Sequence, residues 1–379
     1  MEWTFQNPVK IIFGVEAFEA ISCQVGTRQA LLVSSTGFVE RGGLDLLKAH
    51  LGYRLAGVVS GVVANPNVEN IVQLCAESRR CQFDVLVAIG GGSVIDAAKI
   101  LSAGIDSWAE KSEYLRDFLV KGGKGTIAGL KPVIAVPTTA GTGSEVTPFA
   151  TIWDNLIHKK FSIDDFRLYP EAAILDSKLT HSLPESHTIS TGLDAVSQAF
   201  ESIWNKLANP VTIGIATQSL VHSLVALPRL AKDIEDKTAR KNMMIGSLLA
   251  GVAISQTRTG IAHSISYPLT AYYGLPHGFA CSFTLPSILE YNLRHDDGRF
   301  VQLAQSLGMS VVKELVDCLR NLLKVCRIAQ RLSAFVPSAA SVLTLSGEMF
   351  TPQRANNNMI RIEHNAIQYF LEKGLESVW

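Results

Sequence analysis

Two stretches of this chain have the composition of an anion site. In Ala88-Ile89-Gly90-Gly91-Gly92-Ser93-Val94-Ile95-Asp96-Ala97-Ala98-Lys99, three glycines and a serine join an apolar run to a helical pattern. Glycines admit close backbone approach, and the N–H groups of a first helical turn have no partner within the helix and point at a ligand. Gly91, Gly92 and Ser93 are therefore read as holding a pyrophosphate, with Asp96 ordering the loop from the first turn. The turn is not the G-x-G-x-x-G fingerprint; alone it indicates phosphate rather than one nucleotide, and a βα turn that only packs is the plain alternative. The second stretch, Pro137-Thr138-Thr139-Ala140-Gly141-Thr142-Gly143-Ser144-Glu145, offers hydroxyls and backbone N–H groups with little bulk. It leaves a buried strand at its carboxyl end, where open α/β sheets bind ligands. The expectation is one cleft shared with the glycine turn.

A different chemistry is available further on. Asp194 and Gln198 are four apart in a helical pattern and share a face. His263 and His277 lie in otherwise apolar surroundings. One carboxylate and two imidazoles suit a divalent transition metal with a position open to substrate. Spacing alone does not group them, and each histidine alone reads equally as a hydrogen-bonded core or surface residue. Arg258, between Thr257 and Thr259, precedes His263 by about one and a half helical turns. A guanidinium there is either a phosphonate or carboxylate receptor or a surface ion-pair partner.

These groups need elements to position them. Val9–Phe13, Ala30–Val33, Gly57–Val59, Phe83–Ile89, Pro132–Val136 and Ala172–Leu175 are short apolar runs alternating with amphipathic helices. That alternation predicts a parallel sheet covered on both faces. Asn65-Pro66-Asn67 opens a helix, with Asn at the cap and Pro stopping the strand, and Thr151–Trp153 with Lys160–Ile163 suggests a hairpin or edge strands. Near Asp176–Pro184 the texture becomes helical and stays so, through Ile189–Trp204, Val211–Leu227, Ala239–Ser255, Gly260–Leu269, Cys281–Glu290, Phe300–Leu307 and Val311–Leu332. The fold class expected is an α/β nucleotide-binding domain at 1–178, followed by an all-helical metal and substrate domain at 179–379. Lys121–Gly125 is the most loop-like segment.

Bulk composition bounds the function. Lys plus Arg and Asp plus Glu both number 34, so no charge excess points to nucleic acid or an anionic membrane. No apolar run is read as approaching the roughly 20 residues of a membrane span, and the N-terminus is no signal peptide. The six cysteines form no C-x-x-C pair and most are read as reduced core thiols, which makes a zinc–cysteine site unexpected and a cytoplasmic location the expectation.

Gly90–Lys99, Pro137–Glu145, Asp194–Glu201 and His263–Gly278 occur in the order and separation found in one family. On these segments the chain resembles the iron-containing (group III) alcohol dehydrogenases, from about Phe13 to Pro286. The resemblance implies hydride transfer between NADPH or NADH and a small aldehyde or ketone, a divalent metal (Fe2+ or Zn2+), and a homo-oligomer, expected as a dimer. It places the metal ligands on Asp194, Gln198, His263 and His277, and the catalytic groups on His263, His277 and Tyr267. The nucleotide-binding set it implies is Ser35, Gly91, Gly92, Ser93, Asp96, Thr138, Thr139, Thr142, Ser144 and Lys160.

The departures from the family pattern are specific. Gln198 stands where the family has a histidine ligand, and an amide oxygen is a weaker donor than imidazole. Tyr267 stands where many members carry another histidine; it either donates its phenol proton or only packs. Ser35 stands where members that prefer NAD have an aspartate, so the repulsion of a 2′-phosphate is gone and NADPH is acceptable. Arg258, the segment His263–Thr270 and, more weakly, Arg354–Asn358 resemble the phosphonoacetaldehyde reductase (hydroxyethylphosphonate dehydrogenase) branch. Two alternatives stay open: a metal-free reductase of an acidic substrate, like the maleylacetate reductases, and a nucleotide-binding member that has lost its chemistry.

Overall fold

The computed structural model describes residues 2–108, 111–122 and 130–378. The loop-like Lys121–Gly125 stretch is described to Gly122; Gly123, Lys124 and Gly125 lie outside the described residues. The chain forms two compact units, Asn7–Thr139 with Ser144–Ser182, and Leu183–Trp379 with Met1–Gln6 and Ala140–Gly143.

The first unit is built on a six-stranded sheet. Its strands are β1 (Lys10–Phe13), β2 (Ala30–Ser34), β3 (Leu55–Val59), β4 (Val85–Gly90), β5 (Val133–Pro137) and β8 (Ala172–Leu175), in the order β1-β8-β5-β4-β2-β3. All five pairings are parallel. Every residue of β2, β4, β5 and β8 is buried, which is why these strands read in sequence as unbroken apolar runs. β6 (Phe149–Asp154) and β7 (Lys159–Asp164) form the antiparallel hairpin. From β2 the chain runs through α1 (Thr36–Glu40) out to β3, and after α2 (Val68–Ser78) it returns as β4 beside β2. From β4 it leaves through α3 (Gly92–Trp108) toward β5, on the other side. β2 and β4 thus flank the topological switch point, the position at which open α/β sheets take ligands. An asparagine does cap α2: of the two in Asn65-Pro66-Asn67 it is Asn67, whose side chain accepts from Asn70 N.

The second unit is helical. Its core helices are α4 (Glu185–Ile203), α5 (Pro210–Leu230), α6 (Lys237–Thr257), α7 (Ile261–Tyr273), α8 (His277–Ser282) and α9 (Leu285–Leu293). The predicted Cys281–Glu290 helix is in fact two helices, parted at Phe283-Thr284. The predicted Val311–Leu332 helix breaks at Arg327, which adopts φ +54°. Residues 278–289 are buried throughout, so the first break leaves no mark in the apolar pattern. α7 runs through Pro268 to Tyr273, past its expected end at Leu269, and closes on Gly274 in the left-handed region.

The expectation that no segment reaches spanning length is corrected by α5, which is long and apolar enough by length and composition to cross a membrane. It packs against α4 and α6. Its N-terminus is closed by a capping box in which Asn209 accepts from Val211 N and Thr212 N while Thr212 Oγ1 accepts from Asn209 N. Thr212, Ser219 and Ser223 are buried along its length.

Candidate active site

In the helical unit, side chains from three helices converge. Single donor atoms of Asp194 (α4), His263 (α7), His277 and Cys281 (both α8) all lie within 4.8 Å of one another. α8 reaches α4 because Gly278 has no side chain: a Cβ there would sit 1.7 Å from Ser190 O. His277 and Cys281 are four apart on α8 and so share a face, as Asp194 and Gln198 do on α4. Cys281 Sγ lies 4.0 Å from Asp194 Oδ1 and 3.4 Å from Ser197 Oγ. Reading Cys281 as a core thiol is correct for its burial and incomplete for its surroundings. The spacing to His277 was the available signal.

The two imidazoles are held by different partners. His263 Nδ1 is 2.6 Å from Glu201 Oε2, and Nε2 is 3.2 Å from Asp194 Oδ1. Glu201, a residue the sequence reading left without a role, also accepts from Gly260 N, Ala262 N and His263 N at the start of α7. Its charge is thereby matched by the open N–H groups of a helix N-terminus. Burial opposes charge on His263, but the Glu201 and Asp194 carboxylates outweigh it and lift the imidazole to about 10. For His277, Ser266 Oγ donates its one proton to His263 O at 2.7 Å and lies 3.2 Å from His277 Nδ1. Nδ1–H is then the donor in that pair, which makes Nε2 the ligand nitrogen.

The residues fit a divalent metal. Two buried carboxylates surround one buried imidazole, a balance that a cation completes. Gln198 adds a second sign: its Nε2 donates to Thr142 O at 3.3 Å, while its buried Oε1 has no hydrogen-bond partner. Such an orphaned acceptor is costly unless something positive meets it.

Around this cluster, Tyr267 stacks on His277 with ring centroids 6.2 Å apart and planes at 12°. Arg258 lies just before the histidine helix, as its place in the sequence predicts. It ends α6 in the left-handed region at φ +67°, where its Nη1 donates to Ser255 O at 2.9 Å. The Asn-rich stretch at 356–358 is structural: Asn357 Nδ2 donates to Thr259 O, and the Asn358 and Asn292 amides bond reciprocally.

In the α/β unit the glycine turn opens α3 at Gly92, one residue past the end of β4. Ser93 Oγ accepts from Asn65 N at 3.1 Å, and Thr138 N donates to Gly90 O at 2.9 Å. Thr139 packs on Gly91, where a Cβ would come within 3.1 Å of its methyl. Asp96 accepts from Ser144 Oγ at 2.5 Å and from Thr151 N at 2.9 Å, tying α3 to the threonine loop and β6. Burial raises its carboxyl against the pull of Lys99.

Lys99, to which the sequence reading gave no role, is fully buried. It donates to the carbonyls of Ser144, Thr147 and Phe149 at 2.6, 2.9 and 3.0 Å. Burial lowers it to about 8 despite Asp96 and Glu145, and burial raises Glu145 to about 7. Lys160 Nζ sits 5.8 Å from the Trp153 ring centroid. Thr142, expected on the nucleotide wall, is grouped with the helical unit.

Ser35 follows β2 at the switch point and stands as the N-cap residue of α1. Arg41 was missed. It is exposed, and its guanidinium folds back over the β2–α1 turn, so that a Cβ on Gly37 would lie 3.0 Å from Nη1. Among the described residues no carboxylate pairs with it.

Comparison with known proteins agrees with this architecture. Residues 8–177 match the family described as iron-containing alcohol dehydrogenase, and residues 188–375 match the C-terminal domain of the Fe-containing alcohol dehydrogenase family. The chain is 32% identical over 329 residues to the NADPH-dependent butanol dehydrogenase of Clostridium saccharobutylicum, covering 84% of this chain and 82% of that protein. It is 33% identical over 315 residues to the phosphonoacetaldehyde reductase of Streptomyces viridochromogenes, covering 79% and 78%. Its fold is similar to the crystal structure of sulfoacetaldehyde reductase from Bifidobacterium kashiwanohense in complex with NAD+, with a TM-score of 0.87, 28% identity and 98% of each chain covered. The parallel sheet, the helical unit and the matches along nearly the whole chain lead to one conclusion: this protein belongs to the iron-containing alcohol dehydrogenase family, oxidoreductases acting on CH–OH groups.

Proposed function

We propose that this chain is a metal-assisted, NAD(P)H-dependent reductase of small aldehydes, and that its preferred substrate carries an anionic tail, with phosphonoacetaldehyde as the specific candidate. The observation that carries the reading is the convergence of Asp194, His263 and His277 on one buried point. A metal held there supplies Lewis-acid polarisation of the carbonyl. Glu201 fixes the His263 tautomer and orients Nε2 toward the site, and Ser266 does the same for His277. Tyr267, stacked on His277, delivers from its phenol Oη the proton that the reduced carbonyl oxygen takes up.

Gly91, Gly92 and Ser93 at the β4–α3 turn would hold the nucleotide's pyrophosphate. Thr138 and Thr139 extend that wall, while Asp96, Ser144 and Lys160 hold the hairpin side. Ser35 and Arg41 at the switch point favour NADPH, because no acid is present and a guanidinium is in reach of the turn. Arg258 supports the anionic tail, as do a phosphonate-bearing and a sulfonate-bearing aldehyde in the names of two relatives.

The test is NADPH and NADH oxidation by purified protein against phosphonoacetaldehyde, sulfoacetaldehyde, propionaldehyde and butyraldehyde, with Fe2+ or Zn2+ added. Turnover highest on the anionic pair supports the proposal. Equal turnover across the panel removes the tail, and none with either cofactor removes the reductase.

A further inference from the structure

The reading of a metal-assisted site leaves one question the family pattern does not answer: which donor replaces the imidazole absent at position 198. We propose that it is Cys281, whose thiolate completes the ligand set with Asp194, His263 and His277 and selects zinc over iron. This rests on the metal reading above.

Three observations carry it. The first is distance. Zinc–donor bonds of about 2.0–2.3 Å put neighbouring ligands of a tetrahedron about 3.4–3.6 Å apart. Asp194 Oδ1 lies 3.2 Å from His263 Nε2 and 4.0 Å from Cys281 Sγ, both close to that spacing, and all four donors lie within 4.8 Å of one another. The second is the state of Gln198. Its amide is tethered through Nε2 to Thr142 O at 3.3 Å, and the oxygen it could offer is neutral, a weaker donor than a thiolate that brings no charge to a dication.

The third is charge. Glu201 is already matched by three N–H groups at the start of α7. A buried dication therefore needs two anionic donors of its own, and only Asp194 and a Cys281 thiolate supply them from this cluster. Ligation exchanges the S–H bond for an S–metal bond, and the proton leaves to solvent. Thiolate is a soft donor that favours zinc over harder ions. Four protein donors leave the substrate a fifth position, which zinc accepts.

Cobalt(II) is the probe. The metal-stripped protein loaded with Co2+ is expected to show visible d–d bands together with an intense near-ultraviolet thiolate-to-cobalt charge-transfer band. Cys281→Ser should lose the charge-transfer band and lose zinc on dialysis, whereas Cys75→Ser, altered in the α/β unit, should keep both. Adding Gln198→His to Cys281→Ser should restore zinc retention without restoring the band. If the wild type shows d–d bands with no charge-transfer band, Cys281 is not a ligand while the metal reading stands. If the wild type binds neither Co2+ nor Zn2+, the metal reading falls and this proposal falls with it. Should Cys281→Ser fail to fold, the wild-type spectrum decides by itself.

Discussion

Glu201 Oε2 and His263 Nδ1 lie 2.6 Å apart with both side chains shielded from solvent, and the same carboxylate accepts three backbone N–H groups where α7 begins. One acid thus fixes both the orientation of an imidazole and the start of the helix that carries it. Carboxylates of this kind raise ligand basicity and lock the tautomer. Glu201→Gln should therefore weaken zinc binding about 10- to 100-fold. Titration with a competing chelator measures it, and unchanged affinity would reduce Glu201 to a helix cap.

The cofactor prediction is read at the switch point. Ser35→Asp should cut NADPH use selectively, since a carboxylate would face the 2′-phosphate. Arg41→Ala should lose about ten- to a hundredfold in kcat/KM for NADPH, the worth of one charge-assisted contact, with little change for NADH. Steady-state kinetics with both cofactors decide. Equal losses on both would place Arg41 outside the nucleotide site.

Arg258 tests the substrate's tail. In the structure its Nη1 donates to Ser255 O at the end of its own helix. Arg258→Ala should cost about 1.5–3 kcal/mol in kcat/KM on phosphonoacetaldehyde and little on propionaldehyde. The same loss on both aldehydes would mean that the residue serves the α6 terminus alone.

Stability of the α/β unit should vary with pH in two opposed limbs. Glu145 titrates at about 7 in the folded chain against 4.5 ordinarily, so the folded state holds an extra proton between those values. Its contribution is full below about 4.5 and lost as pH rises through about 7. Lys99 titrates at about 8 against 10.5, so there the unfolded chain holds the extra proton. Its contribution is full only above about 10.5 and lost as pH falls through about 8. The pair contributes least between about pH 7 and 8, which a urea-unfolding series across pH would show as a minimum. Lys99→Met should remove the alkaline limb. It should also destabilise by about 3–5 kcal/mol, because the carbonyls of Ser144, Thr147 and Phe149 lose their buried donor. An unchanged alkaline limb in that variant would assign it to another group.

What was legible in the sequence is what short-range physics writes into it. β2, β4, β5 and β8 appear as unbroken apolar runs because both faces of a parallel sheet are covered, and the anion turn follows β4 because only glycines permit that approach. The pairing of Asp194 with Gln198 needs no more than the helical repeat, and the four separated motifs were enough to indicate the family. The cluster itself was not readable in this way. Glu201 meets His263 across 62 positions, and Cys281 meets Asp194 across 87. The second meeting depends on Gly278 letting α8 settle onto the backbone of α4 at Ser190. Sequence position sets Arg258 just before the histidine helix; that it ends α6 in the left-handed region, with α7 beginning afresh at Ile261, only the structure decides. A helical period marks which face of an element is buried. Which faces then close on one another, and which donors that brings within bonding distance, is set by packing between segments far apart in the chain.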